Sequence, residues 1–106
     1  MSQPLDTVLK ERVRVVLDGG PATEAELRRL FEEGQACALI MGAQLEHREQ
    51  RLTELSADPA SPIAELASTV REVNELRPEL DELRSLLGQL DARARQFRTS
   101  WLTQRR

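Results

Sequence analysis

The chain has 106 residues and a formal net charge of -3, with 40% of its residues hydrophobic and 31% charged. This balance is typical of one soluble globular domain and excludes a protein coated in positive charge for nucleic acid. One Cys and one His exclude an intramolecular disulfide and a Cys/His zinc site, and we expect neither a metal nor a cofactor.

The composition favours helix over strand. Only 3% of the residues are aromatic, and none is Tyr, so the core must be built from Leu, Val and Ala. The first ten residues have no apolar stretch typical of a signal peptide, and no window reaches the roughly 18 apolar residues of a membrane span. We therefore expect a cytoplasmic protein with no membrane-spanning segment.

A first helix is predicted over about residues 5–17, before the turn formed by residues 18–21. Residues 13–17 could also be a short strand, but the sequence offers no second strand to pair with it. The apolar positions at helical spacing are Leu5, Val8, Leu9, Val13 and Val16.

A second helix is predicted over about residues 24–56, some 50 Å long at about 1.5 Å per residue. Thr23 and Glu26 have the spacing of a capping box, which marks its start. Its apolar positions follow a heptad seam. One seam position holds Phe31, Ala38, Leu45 and Leu52, and the other holds Leu27, Gly34, Met41, Arg48 and Leu55.

A third helix is predicted over about residues 62–104, because Ser61 followed by Pro62 is a favourable helix start. Its seam has two consecutive spacings of three residues, from Val70 to Val73 and from Val73 to Leu76. These interrupt the alternation of three and four and predict one register slip. Pro78 removes a backbone donor, so we expect a kink near it in a helix that continues. The seam holds Leu66, Val70, Val73, Leu76, Leu80, Leu83, Leu87, Leu90, Ala94, Phe97 and Trp101.

The predicted fold is all-α, with residues 1–106 as a single domain. A short break between two long amphipathic helices favours a coiled-coil-like antiparallel hairpin. The short first helix would cover the end of the hairpin that carries Phe97 and Trp101. Because two helices share only a thin core, we expect oligomerisation to complete a bundle.

The segment from Gly34 to Leu45 has no charged residue in twelve positions. A helix that is apolar all round is buried all round, and one partner helix cannot cover it. This predicts a second chain on the far face, with a homodimer favoured and another helical protein possible; the alternative is that the first helix covers that face. The predicted interaction residues are Phe31, Gly34, Ala38, Met41, Gly42, Leu45, Leu80, Leu83, Leu87, Leu90, Phe97 and Trp101.

Other candidate sites have simple structural interpretations. Cys37 is expected to be a buried thiol and His47 a solvated surface residue. Arg48, at a seam position, could reach Glu49 or an acid on a partner and fix the register; the alternative is that it lies at the edge of the seam. The last sixteen residues carry five Arg against one Asp. In order of preference, these arginines could oppose the negative end of the helix dipole, dock a partner protein or bind nucleic acid.

These features predict a non-enzymatic helical interaction protein that acts as a scaffold or complex subunit through self-association. No nucleophile, base and orienting group can be assembled from one Cys, one His and scattered hydroxyls. One alternative is a secretion or assembly chaperone that shields an amphipathic client helix, which requires an open groove. The other is a nucleic-acid-associated regulator that uses the Arg-rich C-terminal end, although nucleic acid is the least favoured partner.

Overall fold

The computed structural model describes the backbone of residues 5–104 and, within that range, the side chains of residues 7–100 and of Leu102. Three helices account for all regular structure in this range: α1 (Leu5–Leu17), α2 (Glu24–Ala57) and α3 (Ile63–Gln104). The prediction of an all-α hairpin with a short N-terminal helix is confirmed.

Backbone hydrogen bonds at the end of α1 form a Schellman motif. The Gly20 N–H donates to the Val15 carbonyl at 3.0 Å, and the Gly19 N–H donates to the Val16 carbonyl at 3.2 Å. Gly19 has φ +98°, a left-handed conformation that costs Gly little. This motif reverses the chain and directs it into α2.

Side-chain caps define the start of α2 and the turn after it. The Glu26 N–H donates to Thr23 Oγ1 at 3.2 Å, as the capping box predicts. After Ala57, the Asp58 carboxylate accepts from the Ala60 N–H at 2.9 Å, and the Ser61 N–H donates to the Asp58 carbonyl at 3.1 Å. Asp58, the residue that caps the end of α2, therefore stabilises the turn.

The two long helices are antiparallel along their whole length. At the end of the hairpin remote from the turn, Arg98 of α3 donates to Glu24 of α2 at 2.7 Å. Near the turn, Arg51 of α2 pairs with Glu65 of α3. The result is an elongated molecule with principal extents of 70 × 28 × 17 Å.

The seam of α3 has no register slip, so that prediction was wrong. Thr69 is buried at 7% exposure, whereas Val70 is 37% exposed. The Thr69 hydroxyl donates to the Glu65 carbonyl at 2.9 Å, which satisfies the polar group locally and lets its methyl face α2. With Thr69 in place of Val70, the seam alternates steps of three and four from Leu66 to Ala94.

The helix continues through Pro78, as expected, and α3 is one element from Ile63 to Gln104. Pro78 deprives the Asn74 carbonyl of its usual donor. Both residues are exposed, so water can reach that carbonyl. The kink near Pro78 remains a prediction.

Helix α1 lies along the open-end half of the hairpin and does not cover the C-terminal overhang of α3, so its predicted position was wrong. Lys10 pairs with Glu79 of α3, and Arg12 pairs with Glu33 of α2 at 3.1 Å. Phe97, which α1 was expected to cover, is 43% exposed. The Schellman turn sends α1 back along α2, away from the C-terminal end of α3.

The apolar core lies where all three helices meet. This part of the molecule, the body, comprises α1, residues 24–45 of α2 and residues 76–94 of α3. The remaining two-helix arm, residues 46–75, buries only Leu55, Thr69 and Val73. The core cluster of the body consists of Leu9, Val13, Val16, Leu27, Leu30, Cys37, Ala38, Met41, Leu80, Leu83, Leu86, Leu87 and Leu90.

Candidate interaction surface

A buried lysine helps to fix α1 on the hairpin. Lys10 is the only lysine in the chain and is 3% exposed. Its Nζ lies 2.8 Å from Glu79 Oε2 and 3.8 Å from Glu82 Oε2. Arg14, one turn further on, also pairs with Glu82. A buried ammonium requires such partners because desolvation penalises its charge, so these acids help to set where α1 docks.

Most of the predicted interaction residues pack inside a single chain. Met41, Leu80, Leu83 and Leu87 are buried without a second chain, because α1 completes the core around them. Phe31, Gly42 and Leu45 are half-buried, Phe97 is exposed, and the Trp101 side chain lies outside the described residues. The fully buried members of the predicted set are Gly34, Ala38, Met41, Leu80, Leu83, Leu87 and Leu90.

Gly34 allows α2 and α3 to approach closely. A Cβ built on Gly34 would overlap Leu87 Cδ2 and lie 3.2 Å from Leu87 Cγ. Leu87 is 5% exposed, so it has little space into which it could move. The small size of Gly34 therefore allows close helix packing within one chain.

The uncharged segment leaves four apolar residues uncovered on the outer face of α2. Leu39 is 74% exposed and Ile40 is 58% exposed, and Ala36 and Ala43 are exposed beside them. Their spacings of three and four residues place them together on one surface of the helix. We call this set, Ala36, Leu39, Ile40 and Ala43, the apolar ridge.

Two grooves flank the apolar ridge. The groove between α1 and α2, of about 440 Å³, is lined on its apolar side by Val8, Leu9, Cys37, Ile40 and Met41. The groove between α2 and α3, of about 690 Å³, includes Phe31, Ala38, Leu39, Gly42, Leu87 and Gly88. A helix lying on this face would therefore meet a ridge with a depression on each side.

The apolar ridge is missing from the predicted interaction residues because none of its members occupies a seam position. The signal in the sequence was the absence of charge from Gly34 to Leu45, which leaves apolar side chains on both faces of α2. Helix α1 covers the side of α2 that carries Cys37 and Met41, so the alternative interpretation holds only in part. Leu39 and Ile40 remain exposed.

The other candidate residues make ordinary structural contacts. Cys37 is buried, as predicted, with its Sγ 3.8 Å from Met41 Sδ, and His47 is exposed. Arg48 Nε donates to Glu72 Oε2 at 3.2 Å, so its acid lies on the facing helix of the same chain. Within residues 5–104, no group of three or more His, Cys, Asp or Glu side chains is arranged to hold a metal ion.

Part of the Arg-rich end is engaged in ion pairs. Arg95 pairs with Asp91 at 2.6 Å on the same helix, and Arg98 pairs with Glu24 at 2.7 Å across the hairpin. The second pair holds the first turn of α2 against α3. Neither arginine lies in the last turn of α3, which holds no basic residue, so the helix-dipole interpretation remains a prediction.

None of the three described helices contains a stretch apolar and long enough to span a membrane.

Comparison with protein families, curated proteins and solved structures finds no family, relative or fold neighbour that matches the chain. The function is therefore inferred from the residues and their arrangement.

Proposed function

We propose that the protein is a non-enzymatic helical scaffold or complex subunit that self-associates through the apolar ridge. The supporting observation is that Leu39 and Ile40 stay exposed although a complete core lies on the other side of the same helix. Contiguous exposed apolar residues rimmed by polar ones are typical of protein interaction sites. Glu33 and Glu46 form such a rim along α2.

The strength of the association follows from the exposed area. Full burial of a Leu or Ile side chain contributes about 1.5–3 kcal/mol, and Leu39 and Ile40 are 74% and 58% exposed. Covering both residues in each of two copies contributes roughly 4–8 kcal/mol. Association costs about 4–15 kcal/mol. The ridge must therefore act together with its flanking grooves, and we expect a dimer that dissociates in the micromolar range.

Native mass by light scattering across the micromolar range tests this proposal. The wild type should form a dimer at low and at high salt, because an apolar interface is not screened by ions. Leu39→Asp should be monomeric, since a carboxylate cannot be buried there without a partner. The matched control is Ile63→Asp, at a residue that is 83% exposed at the start of α3 and remote from the ridge.

Far-UV circular dichroism must show that both variants keep their helices. The proposal fails if the folded wild type is monomeric throughout. It also fails if Leu39→Asp leaves the mass unchanged, or if Ile63→Asp reduces the mass equally.

The absence of catalytic activity is part of the proposal. Its support is that the thiol of Cys37 is buried and that the single imidazole, His47, is exposed on a helix surface. The proposed compartment is the cytoplasm, where thiols stay reduced.

The groove between α1 and α2 favours a second candidate, a chaperone that shields an amphipathic client helix. Its apolar lining by Val8, Leu9 and Cys37 lies next to exposed Ile40. In this case the free protein should be monomeric and should enhance the fluorescence of the apolar dye ANS. Val8→Asp should reduce that signal, and an equal signal from the variant would exclude the groove as the binding site.

A further inference from the structure

The exposed residues around the apolar ridge have nearly the same order in both directions along α2. The midpoint lies between Leu39 and Ile40. A helix with this surface presents the same pattern after it is turned end over end. Moving outward from the midpoint, the matching exposed pairs are Ala36 with Ala43, Gln35 with Gln44, and Glu33 with Glu46.

We propose that the ridge binds the ridge of a second copy in antiparallel orientation, about a twofold axis that passes between the two copies at the level of the midpoint between Leu39 and Ile40. This inference rests on the proposed self-association and adds its geometry. In a twofold interface the same patch serves both copies. Leu39 then lies opposite Ile40 of the second copy, and Ala36 lies opposite Ala43 of the second copy.

The shape of the surface suits this arrangement. Ala36 and Ala43 add little bulk at either end of the ridge, so the two α2 axes can approach to the 8–10 Å of packed helices. Leu39 lines the groove between α2 and α3, and Ile40 lines the groove between α1 and α2. Both grooves have room for the corresponding side chain of the second copy.

Charge favours antiparallel over parallel pairing. Glu32 and Glu33 lie beyond one end of the ridge, and Glu46 and His47 lie beyond the other. In a parallel pair, four carboxylates would meet at one end. In an antiparallel pair, each end holds three carboxylates and one imidazole, and Arg12 already neutralises Glu33 at 3.1 Å. Antiparallel helix dipoles favour the same choice.

Disulfide formation between single-cysteine variants tests the orientation. The background is Cys37→Ala, whose dimeric mass is checked first, so that the only thiol is the introduced one. Ala36→Cys and Ala43→Cys are both conservative changes at exposed positions. A purification tag on one of them identifies mixed dimers after the two are mixed in urea, refolded together and gently oxidised. Ala67→Cys, at an exposed alanine on the arm, controls for random collision.

The expected main product is the mixed disulfide between Ala36→Cys and Ala43→Cys. Ala36→Cys alone should cross-link poorly, because two copies of position 36 would be separated by about 10 Å along the helix axis, beyond the reach of a disulfide. Efficient cross-linking of Ala36→Cys to itself would indicate a parallel pair and overturn this inference. A dimer that gives neither product would overturn it too, and in both cases the proposed self-association would stand. A monomeric wild type would instead overturn the proposed function.

Discussion

Replacing Gly88 with Ala should stabilise the protein, and replacing Gly34 with Ala should destabilise it. Both glycines lie inside long helices, where Gly is less favourable than Ala by about 1 kcal/mol. The two positions differ in what a Cβ would meet. At Gly88 no heavy atom lies within 4 Å of the added Cβ, so the whole gain should appear in the free energy of unfolding.

At Gly34 the same gain is opposed by a steric overlap. The added Cβ would overlap Leu87 Cδ2 and lie 3.2 Å from Leu87 Cγ and 3.4 Å from Leu87 Cδ1. Leu87 lies between Leu83 and Leu90 along α3, and both of these are 0% exposed. Overpacking such a core costs about 1–3 kcal/mol, which leaves a net cost of about 0–2 kcal/mol after the helix term. The two variants should therefore differ by about 1–3 kcal/mol.

Urea denaturation followed by far-UV circular dichroism measures this difference, at a concentration low enough that every protein is monomeric, so that contacts with a second copy do not contribute. For a chain of this size, a gain of 1 kcal/mol corresponds to about 4–8 °C in Tm. If Gly34→Ala is as stable as Gly88→Ala, the close approach of α2 and α3 at Leu87 is refuted. If Gly88→Ala destabilises the chain, the open surroundings of that position are refuted.

Two further predictions concern the docking of α1 and the start of α2. Combining Glu79→Gln with Glu82→Gln should cost about 2–4 kcal/mol because the buried Lys10 ammonium loses two carboxylates that face it. Lys10→Met should cost less than about 1 kcal/mol because the acids left behind are half exposed. The opposite order in urea denaturation would contradict this. Thr23→Ala should cost about 1 kcal/mol through loss of the N-cap. Its control, Thr53→Ala at an exposed position in mid-helix, should change stability by less than about 0.5 kcal/mol.

The helices and their pairing were predictable because they depend on local signals. The Thr23 cap, the glycines after Leu17 and the break at residues 58–62 each act within a few residues of the helix end they define. Because the connection between the two long helices has only five residues, the helices must pair in antiparallel orientation. The register then aligns Gly34 with Leu87.

Features that depend on polar contacts could not be predicted from hydropathy. Thr69 occupies the seam because its hydroxyl bonds to the carbonyl of Glu65, and a pattern that counts only apolar residues selects Val70 instead. Lys10 is buried because Glu79 and Glu82 lie opposite it. These acids are some seventy residues away in the chain, so no local pattern indicates where α1 docks.

The groove between α2 and α3 carries a second unfavourable feature besides the exposed ridge. Gly42 and Gly88 both line it, and within the chain neither needs to be glycine: a Cβ on Gly42 would make an ordinary 3.5 Å contact with Arg84 Nη2, and a Cβ on Gly88 would meet nothing. Each weakens its helix by about 1 kcal/mol. Leu39, on the rim of the same groove, adds exposed apolar surface. A second copy packed on the apolar ridge would offset both costs at once, because the glycines leave room in this groove for its Leu39 side chain and the exposed Leu39 would itself be buried.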